Sequence, residues 1–200
     1  MRNPVDRFTE GLPHNARLAI DWIVTIAGAI GIVLLLKGFV VNPYRIPSSS
    51  MEPALHCAIP GPDCAGTYSD RVLANRLLYH VQEPRRGDVI VFDTPPLAAE
   101  RCGDGGTYVK RLIALPGETW RMEDGTVYID GQRLVEPYIS DERRGTDTVP
   151  PTRVPQGRYV LLGDNRDQSC DSRAWGTVER ERLIGRVMAV YWPPNRVSIR

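Results

Sequence analysis

One long apolar run near the N-terminus constrains the fold of this chain most. It extends from Trp22 to Val41 and contains a single charge, Lys37. About 20 apolar residues in a helix can cross the hydrocarbon core of a bilayer, and Lys37 lies near an end, where its stem can reach the interface. A cleaved secretory signal is the rival interpretation, but its apolar region would be about 7–15 residues long and followed by small residues. The sequence favours a transmembrane anchor over residues 18–41.

The residues before the run predict its orientation. Residues 1–17 are polar and contain two prolines and a glycine, so we expect a short irregular tail. Three basic residues precede the run and two lie at or after its end: Arg2, Arg7, Arg17, Lys37 and Arg45. This modest bias favours a cytoplasmic N-terminus. We therefore expect a single-pass protein of the cell membrane, in contact with lipid, with residues 42–200 outside the cytoplasm.

The remaining residues have the pattern of a mostly β, antiparallel domain. Glycine and proline are frequent, at 18 and 17 of 200 residues, and short β-branched runs recur between turn signals. The runs are 71–74, 88–92, 108–114, 119–121, 126–129, 159–162 and 184–192. Residues 121–156 are expected to form a small cap-like excursion, with no strong periodicity from Pro137 to Pro155.

Lysine and arginine number 25 against 24 acidic residues, so the composition gives no sign of nucleic-acid binding.

Three dense motifs carry the strongest functional signal. They are Ile46–Pro53, with three consecutive serines; Tyr108–Glu118; and Gly163–Arg173. A further block, Arg86–Phe92, lies between the first two. In this order the motifs resemble those of the type I signal peptidases, membrane-anchored serine proteases that remove signal peptides from exported preproteins. The resemblance implies an antiparallel β catalytic domain after one transmembrane helix, and it implies neither a metal nor an organic cofactor.

The chain departs from the family pattern at four positions. Ser49 stands where the family often has glycine, and Ala54 where it usually has threonine. Ala114 replaces a usual glycine, and Glu118 replaces a usual aspartate. None of these departures removes a functional group from the implied chemistry.

The resemblance implies that Ser50 is the nucleophile and that Lys110 is its general base. A serine attacks only if a base takes its proton, and a neutral lysine amine can do this. Bringing a lysine pKa from about 10.4 to about 8 requires roughly 3 kcal/mol of destabilisation of the ammonium, which burial supplies. Strand alternation places Lys110 on one face with Leu112 and Ala114, an apolar setting if that face points inward. The alternative is a solvent-exposed lysine on a half-buried strand.

Around Ser50 the resemblance implies an oxyanion hole, formed by the Ser50 backbone N–H and the Ser48 hydroxyl. Pro47 and Pro53 bracket the serines and favour a stiff loop. Composition alone would make a serine run a linker, and Ser48 could equally be a turn residue.

The third motif is expected to support the lysine. The resemblance implies that Ser169 hydrogen-bonds the Lys110 amine and that four charged residues form a salt-bridged scaffold: Asp164, Arg166, Asp171 and Arg173. A carboxylate close to Lys110 would raise its pKa, so these acids should pair with arginines. Because the motif is rich in turn formers, it could also be a surface turn.

The substrate is expected to be a signal-peptide-bearing preprotein, bound as an extended strand in shallow pockets for small side chains. Ile46, Tyr108 and Ile113 are the candidate substrate-binding residues, although both isoleucines could instead be core residues.

Four cysteines fit an oxidising compartment. Cys57 and Cys64 flank a short Pro-Gly-Pro loop and are the candidate disulfide, with unpaired thiols or a metal site as alternatives. Cys102 and Cys170 are further possible partners.

A histidine mechanism through His56 or His80 is the competing chemistry, but neither lies in a recognisable motif. Two further alternatives stay open: another Ser-Lys maturation protease, and a membrane-tethered β domain that binds partners without catalysis.

Overall fold

The computed structural model describes residues 13–39, 41–103 and 105–199, without the side chains of residues 34–39 and His80. Its first element is helix α1, His14–Phe39, which begins directly after Pro13. The stretch His14–Val33 has a mean hydropathy of 1.8 and is long and apolar enough to cross a membrane. Most of its described apolar side chains, between Leu18 and Val33, are exposed.

The bounds of α1 differ from the predicted anchor over residues 18–41. The helix starts four residues earlier, inside the predicted irregular tail, and ends at Phe39. Val41 already belongs to strand β1, so the last predicted residue of the anchor is extended rather than helical. Residues 1–12, and the side chain of Lys37, lie outside the described part of the chain.

Residues 41–200 form a compact unit built on two antiparallel sheets. The larger sheet has the strand order β1-β2-β11-β3-β4-β9-β10, with β12 paired to β11. Its strands are β1 Val41–Arg45, β2 Arg71–Asn75, β3 Val89–Asp93, β4 Thr107–Ala114, β9 Arg158–Leu162, β10 Val178–Glu179, β11 Leu183–Trp192 and β12 Ser198–Ile199. Strand β4 is central, because β3 and β9 flank it.

The smaller sheet has the order β7-β6-β5-β8 and occupies most of the predicted excursion. Its strands are β5 Thr119–Glu123, β6 Thr126–Ile129, β7 Gln132–Arg133 and β8 Val149–Arg153. Asp124-Gly125 and Asp130-Gly131 have positive φ angles, as tight hairpin turns require. Strand β8 escaped prediction because it contains Pro150 and Pro151, which a strand tolerates at an edge such as this one.

Three short helices join the strands: α2 Leu78–Val81, α3 Leu97–Cys102 and α4 Ser172–Trp175. The buried apolar side chains form three clusters, two against the larger sheet and one within the smaller sheet and the adjoining ends of β4 and β9. The predicted fold class, mostly antiparallel β after one apolar helix, is confirmed.

Candidate active site

The segment that carries Ser50 is held at both ends by buried apolar side chains. Ile46 and Met51 lie in one core cluster and are 2% and 1% exposed. Between them, Ser48 is extended and Ser49–Met51 form one 3₁₀ turn, closed by a hydrogen bond from the Glu52 N–H to the Ser49 carbonyl at 3.0 Å. Ser50 is thereby fixed in an 8% exposed position. The Ser48 and Ser50 hydroxyl oxygens lie 3.3 Å apart.

Gly163 brings the third motif against this segment. The Asn165 N–H donates to the Ser50 carbonyl at 3.1 Å. A Cβ on Gly163 would collide with the Ser169 side chain and with the Ser50 carbonyl oxygen. Only a glycine lets the end of β9 pass this closely between the two serines.

Lys110 is placed by the sheet. It lies in the middle of β4, opposite Ile90 of β3, and is 2% exposed. Burial lowers the pKa of its amine from 10.5 to about 8. Asp171 opposes this shift, Arg173 reinforces it, and Asp164 weakly opposes it. A shift of this size costs the folded protein about 3 kcal/mol in disfavouring the ammonium form.

Ser50 and Lys110 line the same cavity, of about 330 Å³. The residues before Ser50 form one part of its lining, including Ile46 and Ser48. Thr107 to Lys110 of β4 form another part. Of the three candidate substrate-binding residues, the structure therefore brings Ile46 and Tyr108 to the cavity.

Ile113 does not line this cavity. Its side chain is fully buried in the core cluster of the smaller sheet, with Trp120 and Val160. The pairing of β4 with β9 shifts register between Leu112 and Ala114. The irregularity brings Ala114, which alternation would place with Lys110 and Leu112, into the same core cluster as Ile113. Ile113 lies an odd number of residues from Lys110, so alternation already places it on the opposite face, which agrees with the core alternative.

Asp171 organises the residues behind the lysine. Its fully buried carboxylate accepts hydrogen bonds from the Gly163 N–H at 3.0 Å, the Ser169 hydroxyl at 2.8 Å and the Arg173 guanidinium at 2.8 Å. Burial alone would raise the pKa of Asp171, but Arg173 and then Lys110 hold it below the ordinary range. The Ser169 hydroxyl thus donates its proton to Asp171.

The predicted scaffold consists of ion pairs, but three of its members have partners that the sequence did not identify. Asp164 accepts two hydrogen bonds from Arg111, at 2.8 and 2.6 Å. Arg166 pairs with Glu136, and both side chains are fully buried. Arg173 pairs with Asp147 as well as Asp171. The position of Arg111 next to Lys110 could have suggested Arg111 as a member of the scaffold. Glu136 and Asp147 lie in the predicted excursion, where no sequence motif marks them.

All four cysteines form disulfides, Cys57 with Cys64 and Cys102 with Cys170. Both members of the second pair line the cavity. Among the described residues, no group of three or more His, Cys, Asp or Glu side chains is placed to hold a metal ion.

His56 serves the structure of the loop after Ser50. Its ring Nδ1 contacts Glu52, a buried carboxylate that also accepts from the Cys57 and Ala65 N–H groups. The ring lines a different cavity, beside Tyr68 and Trp192. The His80 side chain lies outside the described part.

Comparison with known proteins agrees with this geometry. The family model for signal peptidase, peptidase S26, matches residues 19–192. The chain belongs to this family. A probable signal peptidase I-2 of Synechocystis is 36% identical over 95% of this chain and 80% of the relative. The signal peptidase I of Bacillus licheniformis is 34% identical over 88% of this chain and 90% of the relative.

A crystal structure of a signal peptidase I from Enterococcus faecalis matches 54% of this chain and 98% of its own, at 34% identity and a TM-score of 0.43. Family membership confirms the predicted activity, that of a serine endopeptidase which removes signal peptides.

Proposed function

We propose that Ser50 is the nucleophile of this peptidase and that Lys110 is its general base. One observation carries the proposal: a lysine with a pKa of about 8 lies in the same cavity as a buried serine. A base is most effective when its pKa is near the working pH, because it is then partly neutral and still basic.

The two side chains exchange one proton through the cycle. The Ser50 Oγ attacks the carbonyl carbon of the scissile bond, and its proton passes to the neutral Lys110 Nζ. The lysine then gives that proton to the leaving amine as the C–N bond breaks. In the second half, water attacks the acyl ester, a water proton goes to Lys110, and Ser50 regains a proton as the ester bond breaks.

The negative charge on the substrate oxygen needs donors near Ser50. We assign this role to the Ser50 backbone N–H and the Ser48 hydroxyl, the pair expected from the resemblance. The 3.3 Å separation of the Ser48 and Ser50 hydroxyls supports the assignment, because it keeps a donor beside the reacting oxygen.

Ser169 and Asp171 orient the base. With its proton donated to Asp171, Ser169 offers lone pairs to an N–H of the neutral lysine, which turns the amine lone pair toward Ser50. The pairing of Asp164 with Arg111 and of Asp171 with Arg173 limits how far these two carboxylates raise the pKa of the lysine.

We propose that the substrate is a preprotein bound as an extended strand in the cavity, between the residues before Ser50 and the first half of β4. Two elements support this: β1 is the last strand at one edge of the larger sheet, and β4 pairs with β9 only from Arg111 onward. Main-chain hydrogen bonds then supply affinity, and Ile46 and Tyr108 contact side chains.

We further propose that α1 anchors the enzyme in the cell membrane, with the N-terminus in the cytoplasm and residues 42–200 outside. The exposed apolar surface of α1 and the basic residues before it support this orientation. Two disulfides in the catalytic unit also favour an oxidising compartment.

The test compares Ser50→Ala, Lys110→Ala and His56→Ala in detergent-solubilised full-length enzyme. We expect the first two to lose preprotein cleavage while His56→Ala retains turnover. A serine-acylating probe should label the wild type and not Ser50→Ala. Labelling at another serine would contradict the assignment, and an unlabelled, inactive wild type would favour a binding domain without catalysis.

A further inference from the structure

The Cys102–Cys170 disulfide joins two parts of the cavity lining that are 68 residues apart in the chain. Cys102 ends α3, in the connection from β3 to β4, and Cys170 lies between Ser169 and Asp171. Both cysteines also pack against the core cluster that contains Ala98 and Trp175. The bond therefore lies at the substrate cavity and not on a remote surface.

The two segments that it joins are held very differently. The Asp171 segment is fixed by the buried hydrogen bonds from Gly163, Ser169 and Arg173 described above. Most described residues of α3 and its flanks are exposed, whereas Thr94 and Ala98 are buried and Pro95 and Cys102 are half-buried. At its base the connection is closed by Thr94 and Gly106, which exchange hydrogen bonds at 2.8 and 3.0 Å. The end of α3 is thus positioned by the disulfide, the packing of Ala98 and the Thr94–Gly106 hydrogen bonds, whereas the Asp171 segment has its own buried hydrogen bonds.

We infer that the Cys102–Cys170 disulfide is a specificity-determining part of the site: it fixes the end of α3, where Cys102 lines the cavity, and so limits the size of the substrate side chain that enters. This inference rests on the proposed function, because it takes the cavity around Ser50 and Lys110 as the substrate site. A fixed wall discriminates by steric exclusion, and one methylene group in a pocket changes relative rates about 10–200-fold. If this part of the lining can move, the cavity admits larger side chains and the discrimination by size is lost.

The experiment measures selectivity in Cys102→Ala/Cys170→Ala full-length enzyme. Signal-sequence peptides are varied from Ala to Val to Leu at one position before the cleavage site at a time, and kcat/KM is determined for each. We expect the preference for Ala over Leu to fall at least about tenfold at one position. Rates are normalised by titration with the serine-acylating probe, so that unfolded protein does not contribute.

The matched control removes the other disulfide. Cys57→Ala/Cys64→Ala should keep the wild-type preference, because neither cysteine lines the cavity that holds Ser50. If the first variant folds poorly, this control enzyme allows the second bond to be reduced in the folded protein and assayed under reductant, without alkylation, which would add bulk to the cavity lining. The same loss of preference should follow.

Two results would overturn the inference. An unchanged preference at every position would mean that the disulfide does not shape the pocket. A shift in the midpoint of the pH–rate profile, with preference unchanged, would mean that it acts on the base instead. Failure of the proposed function is distinguishable, because the wild type itself would then cleave no peptide or Ser50→Ala would remain active.

Discussion

The pH dependence of cleavage tests the mechanism most directly. A pKa of about 8 leaves about one Lys110 amine in eleven neutral at pH 7, against about one in 3000 at the ordinary value of 10.5. Burial thus raises the working fraction of the base about 300-fold at this pH. We expect kcat/KM to rise about tenfold per pH unit below the midpoint and to level off above about pH 8.

The assay uses full-length enzyme in detergent and a peptide substrate without groups that titrate between pH 6 and 10. Because kcat/KM reports the free enzyme, its midpoint belongs to the base before substrate binds. Lys110→Arg is the matched variant, since it keeps the positive charge but cannot be deprotonated in this range. It should be as inactive as Lys110→Ala.

The reasoning would be refuted by a midpoint near the histidine value of about 6.5, or by a profile without a midpoint. Substantial turnover by Lys110→Arg, in protein free of wild-type peptidase, would also refute Lys110 as the general base. His56 would then be the next residue to replace, despite its contact with Glu52.

Three further predictions concern the surroundings of the base. Asp164→Asn should move the pH–rate midpoint below that of the wild type, because Asp164 raises the lysine pKa, and Arg173→Gln should move it above, because Arg173 lowers that pKa. If both variants moved the pH–rate midpoint in the same direction, these charges would not be what sets the lysine pKa. Gly163→Ala should lower the free energy of unfolding by about 1–3 kcal/mol and reduce kcat more than KM, since the added methyl group displaces Ser169; wild-type kinetics would exclude this. Between pH 8 and 10.5 the unfolded chain still holds a proton that folded Lys110 has lost, so the free energy of unfolding in urea should rise by about 3 kcal/mol relative to that of Lys110→Met. The comparison is needed because the raised pKa values of the buried Tyr79 and Tyr138 lower the stability of both proteins near pH 10. Parallel curves for the two proteins would disprove the prediction.

Much of the larger sheet could be predicted because its strands are apolar, β-branched and bounded by turns. The hairpins at Asp124-Gly125 and Asp130-Gly131 were predictable for a similar reason, since positive φ angles favour these residue types. Strand β8 was not, because two prolines and mostly exposed side chains give it neither alternation nor apolar character. Its place is set by pairing with β5, which is a tertiary contact.

In the active site, too, features with a local sequence pattern could be predicted and features set by tertiary contacts could not. Ser50, Lys110 and the third motif each lie in a local pattern, so their positions could be expected from the sequence. The pairings of the scaffold could not: Arg111 had a signal in its adjacency to Lys110, but it is 53 residues from Asp164 and meets it only when β4 and the end of β9 are paired. The face of Ala114 could not be predicted for another reason: the register shift that moves it from the Leu112 cluster to the Ile113 cluster leaves no mark in the sequence of either strand.

Lys110 also explains why so much rigid structure surrounds one amine. A lysine in the middle of a central strand conflicts with the general rule that charges stay at the surface, and such conflicts are expected at functional sites. Its depressed pKa costs about 3 kcal/mol, a large part of the 5–15 kcal/mol by which a typical domain is stable. An unpaired carboxylate nearby would relieve that cost by raising the pKa, but the amine would then be protonated at neutral pH and useless as a base. Pairing Asp164 with Arg111 and Asp171 with Arg173 resolves the conflict, because Asp171 can position Ser169 and Gly163 while the charge of both carboxylates on the lysine is largely offset.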